Sequence, residues 1–293
     1  MIINLTNHTV SASIDTLGAQ LISLKDQARL EYIWQRNPRF WKSCSPLLFP
    51  AVGNCRNGRT QFEGTWYDLP KHGFCRNMEF HLTAQKEDSA TLSISSGSST
   101  KTMYPYDFVL SLTYTLTADG IHMDYLVKNT DARTIYFCLG AHPGFNCPLH
   151  EGERFEEYQL ELEQEEHTSS MVYDLDALQF DADSHGYFLN HSRVIPLSYD
   201  LFDKDAIYFD RPLSRKVSIV HSGTRKGVEV AFPDFETVAF WTPMEGGAPL
   251  LCVEPWNGSA VRSDEGDEFT RKHHVQHLDA GEIRKYHLGI RFL

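Results

Sequence analysis

Residues 120–129 read Gly-Ile-His-Met-Asp-Tyr-Leu-Val-Lys-Asn, and this stretch decides the fold class. Apolar side chains stand at every second position, namely Ile121, Met123, Tyr125 and Val127. Polar side chains, His122 and Asp124, stand between them. A segment with one apolar and one polar face at a period of two is typical of a half-buried antiparallel strand.

The same alternation recurs along the chain, at residues 90–95, 228–232 and 286–292. Short turns separate such runs, namely Glu63-Gly64, Ala118-Asp119-Gly120 and Ala280-Gly281. Strands joined by glycine and aspartate turns indicate hairpins. The sequence therefore predicts an all-β protein, a large antiparallel β-sandwich in which residues 1–293 form a single domain.

Helix is scarce in this pattern. The best candidates are the segment from Asn37 to Lys42 and a piece from Asp174 to Phe180, neither longer than a couple of turns. The acidic stretch from Glu151 to Glu166 alternates apolar and acidic side chains around Leu160, so we predict a solvated strand face there.

Composition excludes several classes of function. The formal net charge is −12, whereas nucleic-acid-binding proteins usually carry a basic stripe. No apolar run has the length of a membrane span, and the N-terminus lacks the features of a signal peptide. The six cysteines contain no C-x-x-C pair, which favours reduced thiols. We expect a cytoplasmic protein that binds neither nucleic acid nor membrane.

Four stretches carry the candidate functional residues: Pro46 to Arg59, residues 72–76, Leu139 to Asn146, and residues 252–258. The third reads Leu-Gly-Ala-His-Pro-Gly-Phe-Asn and closes an apolar strand with His142, a side chain that exchanges protons near neutral pH. The fourth ends a similar strand with Glu254, followed by Pro255 and Trp256. These residue types suit general acid–base chemistry.

A second group of histidines, His273, His274 and His277, raises the question of a metal site. Two of them share a face at helical spacing, but no carboxylate or cysteine is spaced nearby as a third ligand. We therefore predict no metal and interpret all three as loop residues.

The motifs His-Gly-Phe-Cys-Arg (72–76), Gly-Ala-His-Pro-Gly-Phe (140–145) and Val-Glu-Pro-Trp-Asn-Gly (253–258), in that order, resemble the aldose 1-epimerase (galactose mutarotase) family in its LacX-type branch. The resemblance extends over almost the whole length, from Gly-Ala-Gln-Leu (18–21) to Leu-Asp-Ala-Gly-Glu (278–282). It implies a large antiparallel β-sandwich, the galactose mutarotase-like supersandwich, with a sugar-binding cleft.

The resemblance also implies a mutarotation site. His142 matches the general acid that protonates the ring oxygen of an aldopyranose, and Glu254 matches the general base that takes the proton from the C1 hydroxyl. His72 matches a histidine that stabilises charge at the anomeric oxygens. Sugar contacts are implied for Arg56, Asp205, Arg76 and Trp256. Three nearby carboxylates remain alternatives to Asp205, namely Asp203, Asp210 and Asp234. Arg76 either reaches the sugar or pairs with a carboxylate at the rim of the cleft.

Other aromatic residues are candidates to pack against the sugar, namely Trp241, Phe40, Trp41, Phe74 and Phe145. We expect His142 and Glu254 to face each other across a groove one pyranose wide. The implied reaction needs no cofactor and no metal, and the implied partner is a monosaccharide, bound by a monomer or weak homodimer.

Two alternative functions stay open. One is a mutarotase of hexose 6-phosphates, which a cluster of Arg56, Arg59 and Arg76 at one end of the cleft would favour. The other is a sugar-binding or sensing protein of the same fold without turnover. The second histidine stands in a different turn from that of classical galactose mutarotases, so the resemblance also leaves the sugar open.

Overall fold

The structure is a computed structural model that describes residues 1–244 and 246–293. Its strands are β1 (Ile2–Thr6), β2 (Ser11–Asp15), β3 (Gln20–Lys25), β4 (Leu47–Leu48), β5 (Arg59–Phe62), β6 (Thr65–Asp68), β7 (His81–Gln85), β8 (Ser89–Ser95), β9 (Phe108–Leu116), β10 (Gly120–Asn129) and β11 (Ile135–Phe137). They continue with β12 (Leu139–Ala141), β13 (Gly144–Asn146), β14 (Tyr158–Asp174), β15 (Gln179–Pro196), β16 (Ile207–Asp210), β17 (Lys216–His221), β18 (Gly227–Ala231), β19 (Thr237–Trp241), β20 (Leu250–Asn257), β21 (Gln276–Leu278) and β22 (Ile283–Phe292).

Helix is limited to short pieces in the described residues. The α-helix α1 spans Ser98–Lys101, and 3₁₀ turns occur at Arg56–Gly58, Cys75–Asn77, Phe155–Glu157, Tyr199–Phe202 and Phe269–Arg271. The prediction of an all-β protein with very little helix is confirmed. Within the described residues, no helix has both the length and the apolar character needed to cross a bilayer.

One antiparallel sheet of 15 strands dominates the fold. Its order is β4-β12-β20-β19-β16-β14-β17-β18-β22-β10-β9-β8-β7, with β13 attached to β20 and β15 attached to β14. The smaller sheets are β1-β2-β3, β11-β21 and β5-β6. Every strand pair within these sheets is antiparallel, as the hairpin turns in the sequence indicate.

The alternation of apolar and polar residues in the sequence corresponds to an alternation of buried and more exposed side chains in the strands. Along β9, every second side chain is buried and the others are half-buried. Along β10, Ile121, Met123, Tyr125 and Val127 are all buried. These side chains belong to one contiguous apolar cluster that extends from Ile3 to Ile290. All six cysteines are free and buried, which agrees with the prediction of reduced thiols.

Both predicted helices are wrong. At Asn37 to Lys42 the chain makes one turn, in which the Asn37 carbonyl accepts the N–H groups of Phe40 and Trp41. At Asp174 to Phe180 the chain makes the turn between β14 and β15, where the Asp174 carboxylate accepts the N–H groups of Asp176 and Ala177. The Asn37 side-chain oxygen also accepts the N–H of Arg39 at 3.0 Å, so in each case an Asn or Asp side chain supports a local turn that competes with helix.

The edge of the large sheet formed by β4, β12, β13 and β20 positions the candidate site. All eight residues of β20 are buried, so both of its faces are covered. One face packs into the core, and the other carries Glu254 to the wall of a cavity. A strand that is buried on both faces usually consists of a continuous run of apolar residues. A carboxylate in such a run is unusual, because burying a charged group is costly.

Candidate active site

An open cavity of about 240 Å³ lies beside β20. Small-molecule sites are concave and combine apolar or aromatic walls with a few polar groups. The residues that line it are Trp41, Gly53, Asn54, Lys71, His72, Arg76, His142, Tyr173, Phe180, Asp205, Ala206, Trp241, Glu254, Trp256 and Ala260. The cavity therefore combines an aromatic wall with ionisable groups of both signs.

Strand register brings His142 to Glu254. β12 pairs with β20 through Gly140 and Trp256, and β13 pairs with the same strand through Gly144 and Cys252. Both pairings follow one antiparallel register, and that register places position 142 opposite Glu254. His142 Nε2 lies 3.1 Å from Glu254 Oε2.

The distance differs from the expectation of two groups separated by a groove one pyranose wide. His142 and Glu254 lie side by side on one wall, and both are buried, with 8% and 2% of their surface exposed. The reason is that they occupy facing positions of neighbouring strands, whose separation is about 5 Å. The pair can thus serve two oxygens on a single carbon atom.

His72 is held by a reciprocal contact with Gly53. The His72 N–H donates to the Gly53 carbonyl at 2.7 Å, and the Gly53 N–H donates to His72 Nδ1 at 3.1 Å. Because Nδ1 accepts this hydrogen bond, the neutral ring carries its proton on Nε2. Both residues have positive φ, 65° for His72 and 63° for Gly53. A Cβ atom at Gly53 would lie 2.4 Å from Cα of Ala260, so the close approach requires glycine.

Aromatic rings enclose His142. Its ring stacks on Trp41 at a centroid distance of 4.9 Å and meets Trp241 edge-on at 5.7 Å. The His72 ring lies 5.8 Å from it, at 78°. Trp241 also donates its Nε1–H to Asp205 Oδ1 at 2.9 Å, which fixes the carboxylate at the cavity wall.

Burial controls the ionisation of the site. It raises the pKa of Glu254 well above its ordinary value, an effect that Asp205 reinforces and that Lys71 and Arg76 oppose. Burial also lowers the pKa of His142 well below its ordinary value, and Arg76 acts in the same direction. Both shifts favour the uncharged forms, a protonated Glu254 beside a neutral His142, and the two groups titrate as a coupled pair.

The same cause keeps His72 neutral. Burial lowers its pKa well below the ordinary value, and the neighbouring His142 and Lys71 lower it further. A neutral His72 with its proton on Nε2 is a hydrogen-bond donor at the cavity. It can therefore stabilise negative charge on an oxygen without itself exchanging a proton.

The family of the chain follows from a comparison with known protein families. A family described as "Aldose 1-epimerase" matches residues 1–276. The chain belongs to the aldose 1-epimerase family.

Relatives of this aldose 1-epimerase family member agree with the match. The chain is 36% identical to the chromosomal Protein LacX of Lactococcus lactis subsp. lactis over 284 residues, which cover 94% of each protein. It is similar in structure to a galactose mutarotase related enzyme from Lactobacillus acidophilus, with a TM-score of 0.92 and 28% identity over 100% of this chain and 97% of that one. A galactose mutarotase-like protein from Lactobacillus casei ATCC 334 gives a TM-score of 0.90 and 25% identity over 100% of both chains.

The fold of the family is the one that the resemblance implies, a galactose mutarotase-like all-β architecture of large antiparallel sheets. Membership in this family supports epimerase activity, which is an isomerase reaction on a sugar.

The structure brings most of the predicted site residues of this family member to one cavity. His72, His142, Glu254, Arg76, Asp205 and Trp256 all line it, as do Trp41 and Trp241. The other candidate aromatics do not line it, since Phe74 and Phe145 are buried in the core and Phe40 packs against that core.

The alternatives to Asp205 lie elsewhere. Asp203 lines a separate surface pocket. Asp210 contacts His273 and His274. The Asp234 carboxylate accepts the backbone N–H of His287.

Arg56 lies outside the cavity. Its guanidinium donates to Gln179 Oε1 at 2.7 Å and to the carbonyls of Arg262 and Glu265 at 3.2 and 2.9 Å. Arg59 also lies apart, with its guanidinium over the ring of Trp66 at 4.1 Å. Of the three arginines that would mark a phosphate site, Arg76 alone is among the lining residues.

Sequence reasoning missed several lining residues of this aldose 1-epimerase family cavity, including Lys71, Asn54 and Tyr173. Lys71 directly precedes the His-Gly-Phe motif, so its position was a usable signal. Tyr173 donates its hydroxyl to Asn54 Oδ1 at 2.9 Å. Tyr173 belongs to a strand far along the chain, and no local pattern marks it.

Proposed function

We propose that the protein is an aldose 1-epimerase that interconverts the α and β anomers of an aldohexose by acid–base ring opening and closure. The observation that carries the proposal is the contact of His142 Nε2 with Glu254 Oε2 at 3.1 Å on the wall of a sugar-sized cavity. Ring opening adds a proton to one oxygen of C1 and removes a proton from the other. Two adjacent groups that share one proton suit this exchange.

Ring opening begins when the proton of Glu254 has passed across the 3.1 Å contact to His142, which leaves Glu254 ionised. His142 gives the proton to the ring oxygen as the bond from C1 to that oxygen breaks. Glu254 takes the proton of the C1 hydroxyl, whose oxygen becomes the aldehyde carbonyl. The proton count of the pair is unchanged, but the proton has moved from His142 to Glu254.

Rotation about the bond from C1 to C2 presents the opposite face of the aldehyde. Glu254 then returns its proton to the carbonyl oxygen while the C5 hydroxyl attacks C1 and gives its proton to His142. The ring closes as the other anomer, and the pair regains its initial state. The cycle needs no net proton from solvent.

The remaining residues bind and polarise the sugar. A neutral His72 donates from Nε2 to the oxygen on which charge develops. Asp205, held by Trp241, accepts hydrogen bonds from sugar hydroxyls, and Arg76 donates to them. Trp41, Trp241 and Trp256 offer aromatic surface to the C–H groups of the ring. Arg56 instead holds the segment that follows the lining residue Ala260, because its donors are used at the carbonyls of Arg262 and Glu265.

A non-phosphorylated sugar is favoured over a hexose 6-phosphate. The resemblance placed the phosphate at a cluster of three arginines, but Arg56 and Arg59 are engaged outside the cavity, and the lining cations are Lys71 and Arg76. A comparison of kcat/KM for glucose and glucose 6-phosphate distinguishes the two. We expect the free sugar to be preferred, and a preference for the phosphate would reverse this part of the proposal.

The test of the function is polarimetry with freshly dissolved α-glucose and α-galactose. The protein should speed the change of optical rotation toward equilibrium, and Glu254→Gln should abolish that acceleration. Binding of the sugar, measured by calorimetry, without any acceleration by the wild-type protein would instead identify a sugar-binding protein without turnover.

A further inference from the structure

Three side chains that are distant in sequence converge at the far end of β16. Asp210, the last residue of that strand, contacts both His273 and His274. His273 Nε2 lies 2.9 Å from Asp210 Oδ2, and His274 Nε2 lies 2.5 Å from Asp210 Oδ1. One candidate ligand atom from each residue falls within 4.8 Å of the others.

A second carboxylate orients one of the two imidazoles. Glu236 Oε2 lies 2.6 Å from Nδ1 of His274, and Glu236 is itself paired with Arg211 at 3.0 Å. In metal-binding histidines, a carboxylate commonly accepts a hydrogen bond from the ring nitrogen that does not bind the metal. This carboxylate orients the ring so that its other nitrogen is directed to the ion. Here the other nitrogen, Nε2, is the one that contacts Asp210.

The charges of the cluster favour one more positive charge than a neutral His274 supplies. Both ring nitrogens of His274 face carboxylate oxygens, whereas a neutral imidazole carries only one N–H. In a neutral ring, the nitrogen without a proton would therefore direct its lone pair at a nearby carboxylate oxygen, and the two would repel each other. Either an additional proton or a metal ion relieves that repulsion.

The backbone is shaped to bring the two rings together. Neighbouring side chains of an extended segment point to opposite sides. His274 instead has φ of 55°, in the left-handed region, and the ring centroids of His273 and His274 lie only 3.9 Å apart. A strained conformation at a non-glycine residue is often retained for a functional reason.

We propose that Asp210, His273 and His274 form a binding site for a divalent transition-metal ion, with Zn²⁺ as the best match. Two imidazoles and a carboxylate are a common zinc ligand set, with a water molecule in the fourth position. This site is separate from the epimerase cavity and does not depend on the proposed function.

The geometry admits the ion after a rearrangement of side chains. Tetrahedral bonds of about 2.0–2.1 Å would place the ligand atoms roughly 3.3 Å apart. His273 and His274 contact different oxygens of Asp210, and one ligand atom from each residue lies within 4.8 Å of the others. Side-chain rotation has to bring one Asp210 oxygen and the two ring nitrogens to a common centre. The side chains of Asp210 and His273 are 31% and 27% exposed, so the ion can enter from solvent, whereas His274 is buried.

Sequence reasoning expected no metal at these histidines because it found no third ligand nearby. The third ligand is Asp210, which precedes His273 by 63 residues. His277 lies in β21 as an exposed residue rather than in a loop, and it packs against Tyr136. It takes no part in the proposed site.

The experiment is calorimetric titration of the full, untagged chain with Zn²⁺, together with the visible absorption of bound Co²⁺ as a probe of nitrogen ligation. We expect one equivalent of Zn²⁺ to bind. His273→Gln and Asp210→Asn should each weaken binding by roughly 100-fold or more, and Glu236→Gln by about 10–100-fold, since outer partners have effects of that size. His277→Gln is the matched control and should bind as the wild type does.

A competing cluster is present in the epimerase cavity, where His142, Cys252 and Glu254 also converge. Cys252→Ala serves as the control for it. Zinc binding that survives in both His273→Gln and Asp210→Asn but is lost in Cys252→Ala overturns the proposal, as does the absence of any Zn²⁺ binding by the wild type. Far-ultraviolet circular dichroism of each metal-free variant shows whether the fold is retained, and the exposed His273 is the substitution least expected to disturb it.

Discussion

His142 and Glu254 occupy facing positions of one antiparallel register, and their side chains lie 3.1 Å apart. The histidine stands between β12 and β13, where the strand is interrupted by Pro143, and both flanking pieces pair with β20. The Val253 N–H donates to the Pro143 carbonyl at 3.1 Å across this interruption. The backbone of the large sheet therefore fixes the separation of the two groups.

Removal of either member of this pair should abolish most of the activity. We expect Glu254→Gln and His142→Asn each to lower kcat roughly 10²–10⁴-fold, the usual contribution of a general acid or base. Glu166→Gln is a matched control, because Glu166 is equally buried but is bound by Ser214 outside the cavity. It should keep a kcat close to that of the wild type. Wild-type rates in Glu254→Gln would remove this carboxylate from the mechanism.

Two variants of His72 separate its two ring nitrogens. Asn carries an oxygen near the position of Nδ1 and can still accept the Gly53 N–H, but it lacks the donor at Nε2. Gln carries a donor near the position of Nε2. We expect His72→Asn to lower kcat/KM roughly 10²–10³-fold, as the loss of a charge-stabilising donor does, and His72→Gln to retain more activity. Equal losses in the two variants would argue that His72 acts only in folding.

The raised pKa of Glu254 predicts a dependence of stability on pH. The unfolded chain loses this proton near the ordinary value of 4.5, while the folded protein holds it to higher pH. Between these two values the native state binds more protons, so its free energy of unfolding falls as pH rises, by at most about 1.4 kcal/mol per pH unit. Glu254→Gln lacks this term.

Urea unfolding of both proteins from about pH 5 to about pH 8 measures the effect. The free energy of unfolding of Glu254→Gln minus that of the wild type should increase with pH and level off above the folded pKa. Titrating groups remote from the cavity are common to both proteins and cancel, so the difference reports the coupled pair of Glu254 and His142. A difference that does not change with pH would show that Glu254 ionises normally in the folded protein.

Gly53→Ala should destabilise the protein through a specific contact. Gly53 and Gly64 both have positive φ, 63° and 77°, so alanine costs roughly 1–2 kcal/mol of conformational strain at either position. At Gly53 the new Cβ would also lie 2.4 Å from Cα of Ala260, whereas at Gly64 nothing lies within 4 Å. Overpacking should add roughly 1–3 kcal/mol at Gly53 alone. Denaturant unfolding checks this difference, and equal losses would contradict it.

Trp241→Phe should weaken sugar binding through Asp205. The variant keeps an aromatic ring beside His142 but loses the Nε1–H that donates to Asp205 at 2.9 Å. Loss of a hydrogen bond to a charged group costs about 1.5–3 kcal/mol, so we expect kcat/KM to fall roughly 10-fold or more, mainly through KM. Trp66→Phe, at an exposed residue outside the cavity, should behave as the wild type. An unchanged KM in Trp241→Phe would argue against a sugar contact by Asp205.

The strands and their turns could be predicted from the sequence because each depends on a short window. The alternation at residues 120–129 became β10, and Glu63-Gly64 became the turn between β5 and β6. The two helix predictions failed for a local reason as well. The side chains of Asn37 and Asp174 accept nearby backbone N–H groups, and this turn chemistry outweighed a weak helical pattern.

What the sequence by itself determined was the period of burial, and through its motifs the family and the identity of His72, His142 and Glu254 as candidates. Only the tertiary structure decided that His142 and Glu254 touch rather than face each other across a groove, that Arg56 lies outside the cavity, and that Asp210 joins His273 and His274. The alternation of apolar and polar residues specifies the buried face of a single strand from a few neighbouring residues. These contacts instead depend on which strands become neighbours in the sheet and in what register. That choice is made by the packing of the whole chain, and no local pattern records it.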